Sequence, residues 1–424
     1  MPDGYLGNDT TSSLVCQPLS GVYTMDTTLP ASATNFVNFN TIALKLNNCG
    51  VAGPVTINIA NGTYAEQFTL NQIYGTSATN TVTFQSASGI AANAVIQFNG
   101  GSSAANNFVV KMNGADYTIW KNLTLQSTNA SFSTLVWQLN NTRFNTYRKV
   151  AFNGPSGSLT STNNALVFAN NTSTATPGQG DDNNIFDSCL FNNGAYGIYS
   201  YVSYGSAYTY NCAFTNNTFN NQYYMGMNLS FHLSMNIHNN NINTNSTYSN
   251  YYGINYASNT GIQHAGKISR NRISAPNANG YGIAAYYMNG PNCSVLNNMI
   301  NIGVGSGSPS YGMYMWYSNC KIHHNTVNIT SGNANSYAAY IYNNEYSRPS
   351  SDIRYNILAN SGNGATAGYC IYSVSNNTPF TTIDSNVYYQ GAGAGNFGNF
   401  NGSVYTTFAA WKAEWVLLMI LALL

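Results

Sequence analysis

From about residue 180 the chain repeats one pattern of apolar and polar positions. An apolar residue, two variable residues, Asn, one variable residue and a second apolar residue recur as Phe214/Asn217/Phe219, Ile237/Asn240/Ile242, Ile268/Asn271/Ile273 and Val295/Asn298/Ile300. The series continues as Ile322/Asn325/Val327, Ile353/Asn356/Leu358 and Ile383/Asn386/Tyr388, while Ile185/Ser188/Leu190 carries Ser in place of Asn. Successive Asn positions lie about 23 to 31 residues apart. Between them sits a second unit: Tyr196-Gly197-Ile198, Met225-Gly226-Met227, Tyr252-Gly253-Ile254, Tyr281-Gly282-Ile283 and Tyr311-Gly312-Met313. Weaker copies are Tyr337-Ala338-Ala339 and Tyr369-Cys370-Ile371. Two landmarks holding one period identify a repeat architecture.

Short alternating runs separated by Asn and Gly predict strands and bends. The period accommodates three short strands and three turns. Stacking such coils buries the inward residues and pairs every strand with its neighbours above and below. The expected fold is all-β: a right-handed parallel β-helix solenoid with a short N-terminal capping helix, its hand set by the rule for parallel crossovers. The once-per-coil Asn is read as the residue of a tight left-handed bend and as a rung of an asparagine ladder.

Upstream, Phe36, Phe39, Ala43 and Leu46 have helical spacing, with Thr34 placed to cap the start and Gly50 the end. Strands are expected at Val55–Ala60, Gln67–Leu70, Val82–Gln85, Val95–Phe98, Phe108–Met112 and Tyr117–Gln126. The chain divides into an N-terminal segment and capping helix (1–50), a parallel β-helix (51–400) and an atypical apolar tail (401–424). The run from Trp415 to Leu424 is too short to span a bilayer and is read as a truncated or frame-shifted end, with a buried cap or a membrane-associated tail as the alternatives.

Composition narrows the function. Only 6% of the 424 residues are charged and the net charge is +1, so nucleic-acid binding, which needs clustered basic residues, is not expected. The chain is instead polar through amides, hydroxyls and 34 Tyr. Seven Cys without a CxxC pair give no zinc motif, and no cofactor is expected. Cys16 and Cys49 flank the N-terminal segment and are candidates for a disulfide, which fits an extracellular or cell-surface protein.

The helix followed by Gly62-Thr63-Tyr64-Ala65-Glu66 resembles the opening of pectin-lyase-like right-handed β-helix proteins, and the chain to about residue 400 resembles Asn-rich secreted bacterial members of that group. That resemblance implies the fold but not the activity, because the fold carries lyases, hydrolases, esterases and adhesins. The catalytic Asp motif and the LGRPW motif of pectin methylesterases are absent, and Glu66 reads as a cap or turn residue. The NTD and GHG motifs of polygalacturonases are absent too.

Weak catalytic candidates remain. Asp181 and Asp182 are an adjacent carboxylate pair, the chemistry of glycoside hydrolysis, although they follow a Gly/Pro/Thr-rich stretch that reads as a solvated turn. Arg348-Pro349-Ser350-Ser351-Asp352-Ile353-Arg354 faintly resembles the Arg/Pro/Arg motif of pectate lyases. Lys321 and Asp352 fall in register on adjacent coils and are expected to form an ion pair about 5 Å apart. His323 shares a column with Arg354 and, three coils away, His238; with His324 it reads as an exposed turn histidine, and no metal site is expected. Cys293 and Cys320 also share a column.

The main surface feature is aromatic. With the Gly of each YGI unit as origin, the second and fourth residues after it point outward. Those positions place Tyr314, Trp316, Tyr340, Tyr342 and Tyr372 together over three coils, with Tyr286 beside them. Contiguous exposed rings mark a binding surface, and flat rings suit the C–H face of a sugar. The expected function is therefore a non-catalytic module binding an extracellular polysaccharide or cell-surface glycan. Stacking that merely stabilises the coils is the competing explanation of the same rings. Two other functions stay open: a glycoside hydrolase or polysaccharide lyase with an unfamiliar site, and a structural spacer or protein adhesin. Exposed coil ends would also permit end-to-end self-association.

Overall fold

The computed structural model describes residues 16–171, 181–202, 208–258, 263–343, 351–362, 368–374, 380–391 and 395–421. All but four residues of strand stack into three long sheets, which form a right-handed parallel β-helix of about twelve coils, and Thr209–Tyr210 pairs with His232–Leu233 as a small separate sheet. Sheet 1 has fourteen strands, from Asn35–Phe36 at one edge, next to Leu19–Met25, to Phe380–Asp384 at the other. Sheet 2 has twelve, from Gly62–Ala65 to Val387–Gln390, and sheet 3 has thirteen, from Phe68–Asn71 to Ser403–Tyr405. Each coil contributes one strand to each sheet in that order. Pairing is parallel until Asn396–Phe400 meets Ser403–Tyr405 in an antiparallel hairpin.

Two devices set the coil shape. The repeat Asn forms a continuous ladder between sheets 1 and 2, from Asn217 through Asn386. At Asn298 the backbone N–H and Nδ2 both donate to Asn325 Oδ1, at 3.0 and 2.9 Å, and Nδ2 also donates to Ile268 O at 3.0 Å. The amide of Asn298 is thus satisfied by neighbours on both sides while wholly buried. The left-handed bend residue is not this Asn, as expected from sequence, but the one before it: Asn239, Arg270, Asn297 and His324 have φ of 55 to 58°. The preceding residue turns the chain so that the next amide can point inward.

The Gly of the YGI unit is the second device. A Cβ at Gly253 would lie 2.6 Å from the Gly282 carbonyl oxygen and 2.7 Å from Ile273 Cγ2. Removing the side chain there lets sheet 3 close against sheet 2, and it leaves Tyr252 before the Gly and Asn255 after it only partly buried.

The capping helix α1 spans Phe39–Cys49 and buries Phe39, Ile42, Ala43 and Leu46 over the first coil. Asn38, not Thr34, caps it: its side chain accepts from Thr41 N at 2.7 Å. Glu66 adds a second acceptor, taking the Phe39 N–H at 2.8 Å, which makes it the structural cap expected. Cys16 and Cys49 form a disulfide with Cα atoms 5.0 Å apart. Leu19–Met25 lies outside the sequence-predicted strands, and Tyr117–Gln126 is two strands, Thr118–Lys121 and Thr124–Gln126, broken by Asn122 at φ 53°. At the other end, helix α2 (Phe408–Leu421) drops Trp411, 1% exposed, against Gly398 of the last coil. Among the described residues no helix is long and apolar enough to cross a membrane.

Candidate functional site

The outward aromatic side chains lie on sheet 3. Strand Ser310–Trp316 buries Met313 and Met315 and leaves Tyr311, Tyr314 and Trp316 half-buried at the surface, the alternation expected. Strand register places Tyr314, Tyr340 and Tyr372 in one column and Tyr286, Trp316 and Tyr342 in the next. The rings are in contact. Tyr314 and Tyr340 stack at 5.0 Å and 8°, Tyr340 and Tyr372 at 5.5 Å and 4°, and Trp316 and Tyr342 at 3.9 Å and 6°.

A third column, missed from sequence because its Tyr served only as a repeat marker, runs through Tyr252, Tyr281, Tyr311, Tyr337 and Tyr369. Tyr252 stacks on Tyr281 at 4.4 Å and Tyr281 on Tyr311 at 4.7 Å. Its rings meet the Tyr314 column edge-on, as Tyr311 meets Tyr314 at 5.3 Å and 89°.

Stacking along the axis changes the surface offered to a ligand. Ring faces meet ring faces of neighbouring coils, so solvent meets mainly edges and phenol groups rather than a plane of open faces. The stacks end on non-aromatic residues: Tyr342 pairs next with Val374, and Tyr372 with Asn399. Crowding has an electrostatic signature. Burial, then the neighbouring phenols, pushes Tyr340 up to about 12 and Tyr314 higher still. These phenols stay neutral donors and acceptors throughout the physiological range.

Charge is segregated by sheet. Among the strands, sheet 3 carries one charged residue, Lys111, and sheet 2 one, Arg272. The remaining strand-borne charges, from Lys121 to Asp384, lie on sheet 1.

Sheet 1 and its edges hold the catalytic candidates, and they do not form one site. Asp352 Oδ1 and Oδ2 accept from Arg354 Nε and Nη2 at 2.7 and 2.6 Å. His323 Nε2 lies 3.0 Å from Asp352 Oδ2. Burial raises the Asp352 carboxyl, but Arg354 and His323 more than offset it and hold it below the usual range. Lys321 does pair in register with Asp352, yet it is exposed and makes no ion pair with it. The expected Lys321–Asp352 bridge is therefore corrected: the bidentate guanidinium on the same strand takes the carboxylate. His323 is largely covered, its side chain 14% exposed, whereas His324 is exposed and stacks on Tyr355 at 5.0 Å. Residues 348–350 of the Arg/Pro/Arg-like run lie outside the described residues.

Asp181 is the largest departure from expectation. It is not a solvated turn residue but 4% exposed, accepting from Thr142 N at 2.8 Å, with Cys212 Sγ donating to its carbonyl oxygen. Burial, then Asp182 and Asp116, raises its carboxyl to about 7. Asp182 accepts from Tyr210 N at 2.7 Å and is also raised, chiefly by burial. Both carboxylates serve backbone donors of neighbouring coils. Cys293 and Cys320 are buried free thiols. A hollow of about 390 Å³ lies between α2 and the last coil, lined by Asp384, Tyr388, Phe408, Trp411 and Trp415 among others, and Asp181, Asp182 and Asp352 are not part of its lining.

No family model and no curated protein matches the chain. Among solved structures, it is similar to a pectin methylesterase from Aspergillus niger, at 13% identity over 67% of this chain and 87% of that one, with a TM-score of 0.42. A pectin methylesterase from Erwinia chrysanthemi matches at 10% identity over 73% and 80% of the two chains, TM-score 0.36. A PL6 family polysaccharide lyase from Pseudopedobacter saltans matches at 14% identity over 85% and 92%, TM-score 0.35.

Proposed function

We propose that the chain is a non-catalytic, extracellular or cell-surface module that binds an uncharged polysaccharide on sheet 3. The observation that carries this reading is the cluster of Tyr314, Trp316, Tyr340, Tyr342 and Tyr372 on a sheet whose strands carry one charged residue, Lys111, at the far end. Rings held by their neighbours lose little side-chain freedom on binding, which lowers the cost of association. Phenol edges bond sugar hydroxyls, and the terminal faces of Tyr342 and Tyr372 take the apolar side of a sugar ring. The absence of acidic side chains from the strands of this face favours a neutral glycan and leaves the face without the paired carboxylates of glycoside hydrolysis. The Cys16–Cys49 disulfide supports an oxidising compartment.

The test is a glycan array probed with the wild type and with the triple variant Tyr314→Ala/Trp316→Ala/Tyr340→Ala, with the bound polymers assayed for released sugar and methanol. Selective binding, lost in the variant and without product release, supports the proposal. Product release by the wild type would replace it with a hydrolase, lyase or esterase.

A further inference from the structure

The outward column that holds Tyr314 continues across the whole of sheet 3. Moving towards the N-terminus, strand register runs Tyr314, Ala284, Asn255, Asn228, Tyr199, Phe168, Trp137 and Lys111. Aromatic side chains therefore return after three coils without them. Trp137, Phe168 and Tyr199 are all half-buried, like Tyr314. Phe168 stacks on Tyr199 at 5.4 Å and 14°, and Trp137 lies 6.5 Å from Phe168. The Lys111 ammonium sits 4.4 Å from the Trp137 ring centre. Trp137 Nε1 has no acceptor among the described residues, an unpaired donor of the kind native structures rarely leave.

We infer that Trp137, Phe168 and Tyr199 form a second glycan platform, and that the ligand is one extended uncharged chain lying along the helix axis across both platforms. This rests on the polysaccharide reading of the C-terminal rings. The intervening surface fits such a chain. Asn228 and Asn255 are linked by an Asn255 Nδ2 to Asn228 Oδ1 bond of 2.6 Å, and Ala284 adds no bulk. Asn228 and Ala284 are buried and Asn255 is partly exposed, so this stretch of the column is recessed between the rings and carries no charged side chain, which leaves room for a hydroxyl-bearing polymer to cross it by way of Asn255. Tyr199 and Tyr314 are four strands apart, about 19 Å at ordinary strand spacing. A short oligosaccharide occupies one platform; a long one engages both and gains the avidity of linked contacts.

The test compares soluble neutral glucan, mannan and xylan polymers with trisaccharides cut from each. Three proteins are needed: wild type, Trp137→Ala/Phe168→Ala, and Asn255→Arg, which places bulk and charge between the platforms. The wild type should bind the recognised polymer at least about tenfold tighter than its trisaccharide. Both variants should lose that advantage while keeping trisaccharide binding, which also shows that they are folded. Equal affinity for polymer and trisaccharide, or a polymer advantage that survives in both variants, would overturn the two-platform inference alone. Wild type that binds none of the polymers or trisaccharides would overturn the polysaccharide reading and this inference with it.

Discussion

Trp316 and Tyr342 stack with ring centres 3.9 Å apart and planes within 6°, on adjacent strands of sheet 3. The contact joins two coils and forms part of the proposed binding face, so it has a structural and a functional consequence. Tyr342→Ala should destabilise the protein by about 1 kcal/mol beyond the area lost, the usual worth of an aromatic pair. It should also shift the Trp emission and weaken glycan binding. Tyr342→Phe should keep the stack and stability and lose only the phenol's share of affinity. Denaturant midpoints and titrations on the same two variants separate the effects.

The ladder makes a sharper stability prediction. Asn298→Ala leaves the Asn271 backbone N–H and Nδ2 without their acceptor and the Ile268 carbonyl without a donor. Unsatisfied buried groups cost about 1–3 kcal/mol each, so a loss on the order of 3 kcal/mol is expected after relaxation. Urea denaturation followed by circular dichroism reads it. The exposed Asn297→Ala change, one residue away, should cost less, through its left-handed backbone alone.

Asp181 predicts a pH dependence. Its folded carboxyl is raised to about 7 from the ordinary 3.8 of a free Asp side chain. Between those values the unfolded chain has lost this proton and the native chain still holds it, so stability falls as pH rises through that window. Above about 7 both states are ionised and the loss is constant. Asp181→Asn keeps an acceptor for Thr142 N and removes the titrating proton. It should flatten this component of the profile and leave the protein more stable than wild type at pH 8, by a few kcal/mol at most. Thermal midpoints across pH measure both effects.

Thiol chemistry offers a direct check of the core. Cys189, Cys212, Cys293, Cys320 and Cys370 are buried and unpaired, and burial raises each thiol. None should react with an aromatic disulfide reagent in the native state, and five should react in denaturant without reductant. Reducing Cys16–Cys49 should cost about 2–4 kcal/mol at the N-terminal cap, seen as earlier loss of α1.

How much of this was legible in the sequence differs by residue. The ladder was legible because each coil buries one amide at a fixed place, and no other residue satisfies four such bonds there. The C-terminal aromatic columns were legible through the neighbouring YGI unit, whose Gly fixes the parity. Trp137 and Phe168 were not, because their coils lack that unit and only strand register links them to Tyr199. Register alone also misled: Lys321 and Asp352 are paired positions, yet a guanidinium two residues along the same strand reaches the carboxylate in better geometry. Asp181 was misread because the loop-like composition before it says nothing of the corner that follows, where the side chain turns inward to a backbone donor.

The most direct test of the central claim is the affinity of a recognised neutral polysaccharide for wild type against Tyr314→Ala/Trp316→Ala/Tyr340→Ala, measured by titration calorimetry on folded samples. The account predicts a loss of at least about 3 kcal/mol, more than a hundredfold, because the central rings of the face are removed together. Unchanged affinity in the folded variant would contradict it and confine the rings of sheet 3 to holding the coils together.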